Sequence, residues 1–144
     1  MKHYFILVLV VLAGIFTGCS KSDSDSSKGG VLTPGTYTIK AVITGGGVLK
    51  DGKMTIDVEL GKKVRDLDIT NDPALAKMNG KTEWEGDYKI ESSVQVTIRA
   101  IKPTENSVLT LYILKGKDVV RKDEYKGKGN HDGLIGHISI RLQN

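Results

Sequence analysis

Apolar and polar positions divide the chain into three stretches with different spacing. Tyr4 to Phe16 is an unbroken run of apolar or small residues, residues 20–30 are polar and low in complexity, and period-two alternation begins at Thr36. Alternation rich in β-branched side chains is typical of strands with one buried face and one face in water. No stripe of helical spacing competes with it, so we predict an all-β domain over residues 36–144.

Four segments carry the alternation, and a fifth is apolar throughout. The predicted inward-facing residues are Tyr37, Ile39, Ala41 and Ile43; Met54, Ile56, Val58 and Leu60; Val94, Val96, Ile98 and Ala100; and Leu134, Ile138, Ile140 and Leu142. Residues 108–114 are apolar on both faces apart from Thr110, which indicates a central strand with Leu111 and Ile113 in the core. About seven or eight short strands separated by turn residues favour an antiparallel sandwich.

Turn residues predict how these strands connect. The Asp-Gly pair within residues 50–53 favours a two-residue type I′ hairpin, and the three glycines at 45–47 predict a bulge or bend just before it. A second hairpin, of type II′, is predicted at Gly116-Lys117, where the glycine comes first. Its register sets Lys115 opposite Asp118 and Leu114 opposite Val119, so a charged pair and an apolar pair both support it.

One segment predicts a short helix between strands. In residues 71–80, Asp72 can cap the helix, Pro73 fits the first helical position, and Asn79-Gly80 can close it. We therefore predict one or two helical turns there.

The first nineteen residues predict export. Lys2 and His3 give a positive start, and the apolar run that follows suits a signal-peptide core of about 7–15 residues, whereas spanning a bilayer takes about 20. A segment ending in Gly18-Cys19 resembles a bacterial lipoprotein leader. That resemblance implies a signal peptide over residues 1–18, cleavage before Cys19, and a lipid carried by Cys19.

Residues 19–35 then form the lipidated cysteine and a flexible tether of Ser, Asp, Lys and Gly. Its eleven polar residues, 20–30, have a root-mean-square reach of about 18 Å. In proteobacterial lipoproteins an aspartate directly after the cysteine retains the protein at the inner membrane. Ser20 at that position implies the outer membrane instead. Asp23 and Asp25 resemble the acidic surface-export signal of Bacteroidota lipoproteins, so both the periplasmic side and the cell surface stay open.

Composition narrows the classes of partner. Cys19 is the only cysteine, so the domain folds without an internal disulfide. A formal net charge of +4 is too mild for a nucleic-acid-binding surface, and we expect no nucleic-acid partner. Basic residues nevertheless concentrate in residues 115–128. Two interpretations remain open: a lysine-rich outward strand face that discourages edge pairing, and contact with anionic lipid or polysaccharide through Lys115, Lys117, Arg121 and Lys122.

We predict no catalytic site, no metal and no cofactor. A metal site would need His131 and His137 to converge with a carboxylate such as Asp132, and two solvated histidines are the expected alternative. The chain has no Gly-x-Ser-x-Gly nucleophile motif. The acidic residues at 83–91 and at 66 and 68 are interpreted as solvated strand faces rather than as a glycosidase pair.

Aromatic residues supply the candidate ligand site. Trp84, Tyr88, Tyr112 and Tyr125 would form a stacking platform for a sugar if their rings were exposed. Trp84 lies between Glu83 and Glu85, so on a strand it faces away from both, which favours a core tryptophan. Trp84 and Tyr88 are retained as candidate ligand-binding residues.

Two parts of the domain resemble a known group of proteins. The hairpin Leu109–Val120 and the order of Trp84 followed by the strand at 93–100 are similar to those of small Bacteroidota envelope lipoproteins. The resemblance implies an immunoglobulin-like sandwich comparable to the MmpS-type accessory lipoproteins. The leader of this chain departs from the usual lipoprotein cleavage motif at Phe16, where that motif commonly has leucine.

Three hypotheses about function follow. The leading one is a non-enzymatic, membrane-tethered sandwich that binds an envelope protein as an accessory module. The alternative is a carbohydrate- or small-ligand-binding lipoprotein associated with an outer-membrane transporter. A third, a small hydrolase, would require His131 and His137 to lie within reach of a carboxylate.

Overall fold

The computed structural model describes residues 31–58, 63–68, 71–128 and 133–143. These residues form eight strands and one short helix: β1 (Gly35–Thr44), β2 (Val48–Val58), β3 (Lys63–Asp68), α1 (Pro73–Ala76), β4 (Glu83–Ile90), β5 (Ser93–Ile101), β6 (Val108–Lys115), β7 (Asp118–Lys126) and β8 (Leu134–Arg141).

The strands form two antiparallel sheets of four. The front sheet has the order β4-β1-β6-β7, and the back sheet has the order β3-β2-β5-β8. The prediction of an all-β antiparallel sandwich with one short helix is confirmed. Its likeness to immunoglobulin domains is one of architecture, since neither sheet has the ABED or CFG strand order of constant domains.

The core lies between the two sheets, where the predicted inward-facing residues meet. Leu111 and Ile113 are 1% and 0% exposed, and β6 is flanked by β1 and β7, which confirms the predicted central strand. The predicted alternation is confirmed in β1, β5 and the later part of β8. Val58 and Leu60 lie outside the side chains that the structure describes. The buried set is Tyr37, Ile39, Ala41, Ile43, Leu49, Met54, Ile56, Leu75, Met78, Trp84, Ile90, Val94, Val96, Ile98, Ala100, Leu109, Leu111, Ile113, Ile138, Ile140 and Leu142.

Two of the three predicted turns are confirmed. Gly116 has a φ of 64°, as the first central position of a type II′ turn requires, and Lys115 pairs with Asp118 and Leu114 with Val119. The register then shifts just beyond the turn, between Ile113 and Leu114. Residues 45–47 connect β1 to β2, and all three glycines have positive φ values of 74°, 122° and 88°.

The predicted hairpin at residues 50–53 is wrong. These residues belong to β2, which continues through them and pairs with β5 from Val48 to Asp57, with one register shift between Leu49 and Asp51. The Asp-Gly pair therefore lies beside an irregularity inside a strand. Long-range pairing with β5 prevails over the local turn preference of two residues.

The predicted helix is confirmed at Pro73–Ala76. Asp72 caps it by accepting a hydrogen bond from the Ala74 amide at 2.8 Å, and Pro73 occupies its first turn. Leu75 and Met78 are fully buried, so this segment contributes to the core between the end of β3 and the start of β4.

The edge strands β7 and β8 approach each other at the side of the sandwich opposite the β3 and β4 edges. β7 and β8 lie side by side, and the Tyr125 hydroxyl donates a hydrogen bond to the His137 carbonyl. A side chain thus bridges the two sheets where no backbone ladder joins them.

Candidate functional site

The outward surface of the front sheet is the first candidate site, and we call it the front face. Strand register arranges its side chains in three rows that cross the sheet from β4 to β7. The rows are Asp87–Thr38–Leu114–Val119, Glu85–Lys40–Tyr112–Lys122 and Glu83–Val42–Thr110–Glu124.

The centre of the front face combines the apolar side chains Val42, Tyr112 and Leu114 with the polar Thr38, Lys40 and Thr110. Val42, Tyr112 and Leu114 are each half-buried, and Val119 is 46% exposed. Thr110 is only 8% exposed although it points outward, because its neighbours crowd it. An outward sheet face is normally polar in an isolated domain, so this centre is a surface that another protein can cover.

The β4 edge of the front face is acidic. Lys40 forms ion pairs with Glu83 and, at 3.8 Å, with Glu85, while the Thr38 hydroxyl donates to Asp87 at 2.6 Å. The hydrogen bond with Glu83 raises the pKa of Lys40, an effect that partial burial opposes. One lysine is therefore shared by two carboxylates, which leaves the edge net negative.

The β7 edge carries the compensating positive charge. Lys122 pairs with Glu124 at 2.7 Å, and its ammonium group lies 5.9 Å from the centre of the Tyr112 ring. Lys117 and Lys126 are exposed at the two ends of the strand. The front face thus has a partly apolar centre between an acidic β4 edge and a β7 edge of mixed charge, with exposed lysines at its two ends.

The outward surface of the back sheet has a different character. Arg99 makes a two-pronged ion pair with Asp51, which raises the pKa of the guanidinium group, and Thr97 and His137 share a hydrogen bond of 2.9 Å. Among the described side chains of this surface, Ile135 is the exposed large hydrophobic one, at 50%. This surface resembles an ordinary solvated sheet face.

A polar cleft lies at the seam between β7 and β8 and is the second candidate site. It has a volume of about 430 Å³. Arg121 and Asp123 pair through two hydrogen bonds of 3.1 and 3.2 Å along its wall, beside the bridging Tyr125. The remaining lining residues are Gln95, Val96, Thr97, His137, Ile138 and Ser139.

The two candidate ligand-binding residues lie inside the fold. Trp84 is 5% exposed, and its indole N–H donates to the Ala74 carbonyl at 2.7 Å. Tyr88 is half-buried and donates to Asp72 at 3.1 Å. Burial and this hydrogen bond raise the pKa of Tyr88, because both favour the neutral phenol. The burial matches the core-tryptophan alternative and counts against a stacking platform, which needs an exposed ring face.

The four basic residues proposed for an anionic surface lie in different places. Lys115 donates to the Thr33 carbonyl at 3.0 Å and covers the Tyr37 ring at 5.3 Å. Lys117 occupies the β6–β7 turn, Arg121 lines the polar cleft, and Lys122 belongs to the front face. The structure does not bring the four together as one patch.

The remaining sequence candidates fall into two groups. Cys19, His131 and Asp132 lie outside the described residues, and the described ranges contain no cluster of three potential metal ligands. Glu83 and Glu85 lie on the front face with Lys40, and Glu91 pairs with Lys89 at 3.1 Å. Glu83 and Glu85 are solvated strand-face residues, as the sequence indicated, and Glu91 lies in the bend between β4 and β5.

Sequence reasoning missed the polar cleft as a unit. Alternation along β7 already places residues 121, 123 and 125 on one face, and that signal was available. That β7 lies beside β8 depends on which sheet edges meet, which spacing along a chain does not specify.

Comparison with protein-family models, with curated proteins and with solved structures finds no match to this chain. Within the described residues, no helix is both long and apolar enough to cross a bilayer.

Proposed function

We propose that this protein is an exported, lipid-anchored and non-enzymatic module that binds protein in the bacterial cell envelope. Cys19 is the proposed anchor and the front face is the proposed binding surface. The observation that carries the proposal is the composition of the front face: the half-buried apolar side chains of Val42, Tyr112 and Leu114 lie near its centre and are bordered on two sides by charged residues.

This composition is that of a protein interface. Such interfaces combine an apolar centre enriched in tyrosine and other aromatic residues with a polar, solvent-accessible rim. Tyr112 and Leu114 lie on β6, the most buried strand of the front sheet, so the centre of the face is held rigidly. A rigid surface lowers the entropy cost of binding.

The anchor would restrict where this face acts. The composition of residues 20–30 predicts a tether with a reach of about 18 Å, so the domain would stay close to its membrane while rotating freely. A partner in the same membrane or in the adjacent envelope layer would then meet the front face at a raised effective concentration.

The test is co-purification from intact cells of the tagged chain after chemical cross-linking. Cys19→Ser is the untethered control, and metabolic labelling with a fatty acid reports on lipidation at the same position. We expect capture of protein by the wild type, loss of capture in Leu114→Glu, and unchanged capture in Arg141→Glu at an exposed position of the back sheet. Capture that ignores Leu114→Glu would contradict the proposed surface.

The polar cleft supports a second candidate function, the binding of a carbohydrate or another small polar ligand. It combines the Arg121–Asp123 pair and the Tyr125 ring with the polar side chains of Gln95 and Ser139. Titration calorimetry with maltose and N-acetylglucosamine as probes tests it. Binding that is lost in Asp123→Asn would support the cleft, and heat signals equal to those of buffer would count against it.

A further inference from the structure

We propose that the free edge of β4 binds an extended segment of another protein by strand addition, and that this segment carries lysine or arginine at alternate positions. In strand addition a peptide lies beside an exposed sheet edge, where main-chain hydrogen bonds hold it and alternate side chains select it. The inference goes beyond the proposed function, because it rests on main-chain groups of the sheet edge and not on the half-buried side chains of the front face.

β4 is the longest described edge strand that does not face another edge. The edge strands are β4 and β7 in the front sheet and β3 and β8 in the back sheet. β7 and β8 lie side by side, and the Tyr125 hydroxyl bonds to a main-chain carbonyl of β8. Of the remaining two, β3 has six residues and β4 has eight. A long edge without a neighbouring strand is a template for pairing with another chain.

The register of β4 with β1 identifies the main-chain groups that point away from the sheet. The Ile43 amide donates to the Thr82 carbonyl at 2.8 Å just before β4 begins, so these two residues form a hydrogen-bonded pair. Such pairs recur at every second residue of an antiparallel ladder, so Trp84, Gly86 and Tyr88 bond to β1. The main-chain groups that point away from β1 belong to the residues between and beside them, Glu83, Glu85, Asp87 and Lys89.

The side chains of the same residues select the charge of the segment. Glu83, Glu85 and Asp87 occupy three successive outward positions of β4. In an added antiparallel strand, the residue opposite each of them lies on the same face, with its Cβ atom about 4.5–5.5 Å away. Opposite charges at this separation stabilise strand pairing and like charges destabilise it. Lysine or arginine therefore fits opposite each of the three carboxylates.

The sheet itself neutralises this acidic row only in part. Lys40 reaches it from β1 and is shared by Glu83 and Glu85, while Asp87 accepts a hydrogen bond from the neutral Thr38 hydroxyl. At the far end of the row, Lys89 is paired with Glu91 at 3.1 Å. The row thus keeps negative charge for a basic segment to meet.

The same row disfavours a second copy of β4 as the occupant. Two copies of an edge strand pair antiparallel about a two-fold axis, and the residues with outward main-chain groups then face each other. In the two registers of greatest overlap, either Glu85 faces Asp87 or Asp87 faces itself. The first of these also brings Glu83 to Lys89, which offsets the repulsion without a net gain. A segment with basic residues at alternate positions meets no such repulsion from the three carboxylates.

A groove beside the first half of β4 constrains the other side chains of the segment. It has a volume of about 590 Å³ and is lined by Ala74, Lys77 and Lys81 from α1 and the loop after it, and by Glu83, Trp84 and Glu85 from β4. Successive side chains of a strand point to opposite faces, so those between the basic residues point to the side on which α1 lies. The lysines exposed on that side favour uncharged or acidic residues there.

The test uses the full-length, lipidated chain purified in detergent and three synthetic heptapeptides. The first alternates threonine with lysine, the second has the same composition with its lysines grouped at one end, and the third alternates threonine with glutamate. We expect the first to bind and to slow hydrogen exchange of the Glu85 and Asp87 amides, measured by NMR. The other two should bind at least about fivefold more weakly, since they cannot set a cation opposite each carboxylate.

Two N-methylated forms of the first peptide test the main-chain hydrogen bonds. Methyl groups on the lysine amides block the edge that faces β4 and should abolish binding, whereas methyl groups on the threonine amides lie on the far edge and should leave it unchanged. Glu85→Lys should weaken binding of the lysine peptide at least about threefold and strengthen binding of the glutamate peptide. The matched charge reversal Glu124→Lys, on the opposite edge strand β7, should change neither.

The outcomes separate strand addition from simple charge attraction and from the proposed function. Equal binding of the grouped and alternating peptides, or binding that survives methylation of the lysine amides, would overturn strand addition. Unchanged exchange of the β4 amides with every peptide would overturn it as well. Leu114→Glu, which tests the front face, should leave peptide binding in place, so either proposal can fail while the other stands.

Discussion

The indole N–H of Trp84 donates a hydrogen bond to the main-chain carbonyl of Ala74 at 2.7 Å. This contact fixes α1 against β4 and directs the only tryptophan of the chain into the core. The helix carries Leu75 into the same region. Trp84 therefore acts as a packing residue, and the candidate functions rely on the front face and the polar cleft.

Replacing Trp84 by Phe should lower the free energy of unfolding by about 1–3 kcal/mol. The substitution removes buried volume and one of the two hydrogen bonds that the Ala74 carbonyl accepts, since the Lys77 amide donates the other at 3.3 Å. Denaturant titration followed by circular dichroism measures the change, with Gln95→Ala at an exposed position of β5 as a control. In the wild type, Trp84 emission should be shifted to short wavelength and protected from an aqueous quencher, and an easily quenched tryptophan would contradict its burial.

Tyr88 should make stability depend on alkaline pH. Its pKa in the folded protein is raised by burial and by Asp72, so the folded state keeps the phenol proton above pH 10 while the unfolded state releases it. This stabilisation is fully present below pH 10 and is lost as the pH rises towards the folded-state pKa. The stability gap between the wild type and Tyr88→Phe should therefore be constant near neutral pH and shrink above about pH 10.

Denaturant titration at several alkaline pH values checks this expectation. The raised pKa of Lys40 adds a second alkaline loss of stability, but that loss is present in both proteins and cancels in the comparison. A gap that grows with pH would mean that Tyr88 ionises more easily when folded, contrary to its environment.

Gly45 should be among the least replaceable residues of the domain. A Cβ there would lie 2.0 Å from the Asn106 carbonyl oxygen, and its φ of 74° already disfavours other residues. Gly80, with a φ of 80° and open space around its Cβ position, is a matched control that isolates the backbone strain. Gly45→Ala should cost at least about 2 kcal/mol more than Gly80→Ala in denaturant titration. Equal costs would contradict the close approach.

Local sequence preferences predicted the connections only where no long-range contact competes. Gly116-Lys117 forms its turn because the two strands it joins pair with each other. Asp51-Gly52 has a stronger local turn preference, yet it lies inside β2, paired with Arg99 and Ile98 of β5. A Cβ at position 52 would lie 3.0 Å from Met78 and Ile98, so this glycine serves close packing.

The front face shows a similar limit on what the sequence specifies. The apolar outward positions of β6 predicted a buried central strand, and the strand is indeed central. The same apolar positions also fit an interaction surface, since Tyr112 and Leu114 point outward and stay half-exposed. The two explanations differ in whether another layer of the protein covers Tyr112 and Leu114, and alternation along one strand does not specify this. In the described part of the chain, no further layer covers these two side chains.

Ser107 should stabilise the end of the sandwich where several loops meet. It is fully buried, and its hydroxyl donates to the Gly46 carbonyl at 2.8 Å while accepting from the Thr104 amide at 2.7 Å. Ser107→Ala leaves both groups unpaired and should cost about 1–3 kcal/mol. The exposed Ser139→Ala should change stability by less than about 0.5 kcal/mol, and similar costs for both would refute the role of Ser107.

The most direct test of the central claim is site-specific photo-cross-linking of the full-length chain in intact cells. A photoreactive amino acid replaces Leu114 on the front face or the exposed Arg141 on the back sheet. We predict protein adducts from position 114 in the wild-type background, with fewer in Cys19→Ser and none above background from position 141. Adducts of equal yield from positions 141 and 114, or their absence at 114, would contradict a protein-binding front face.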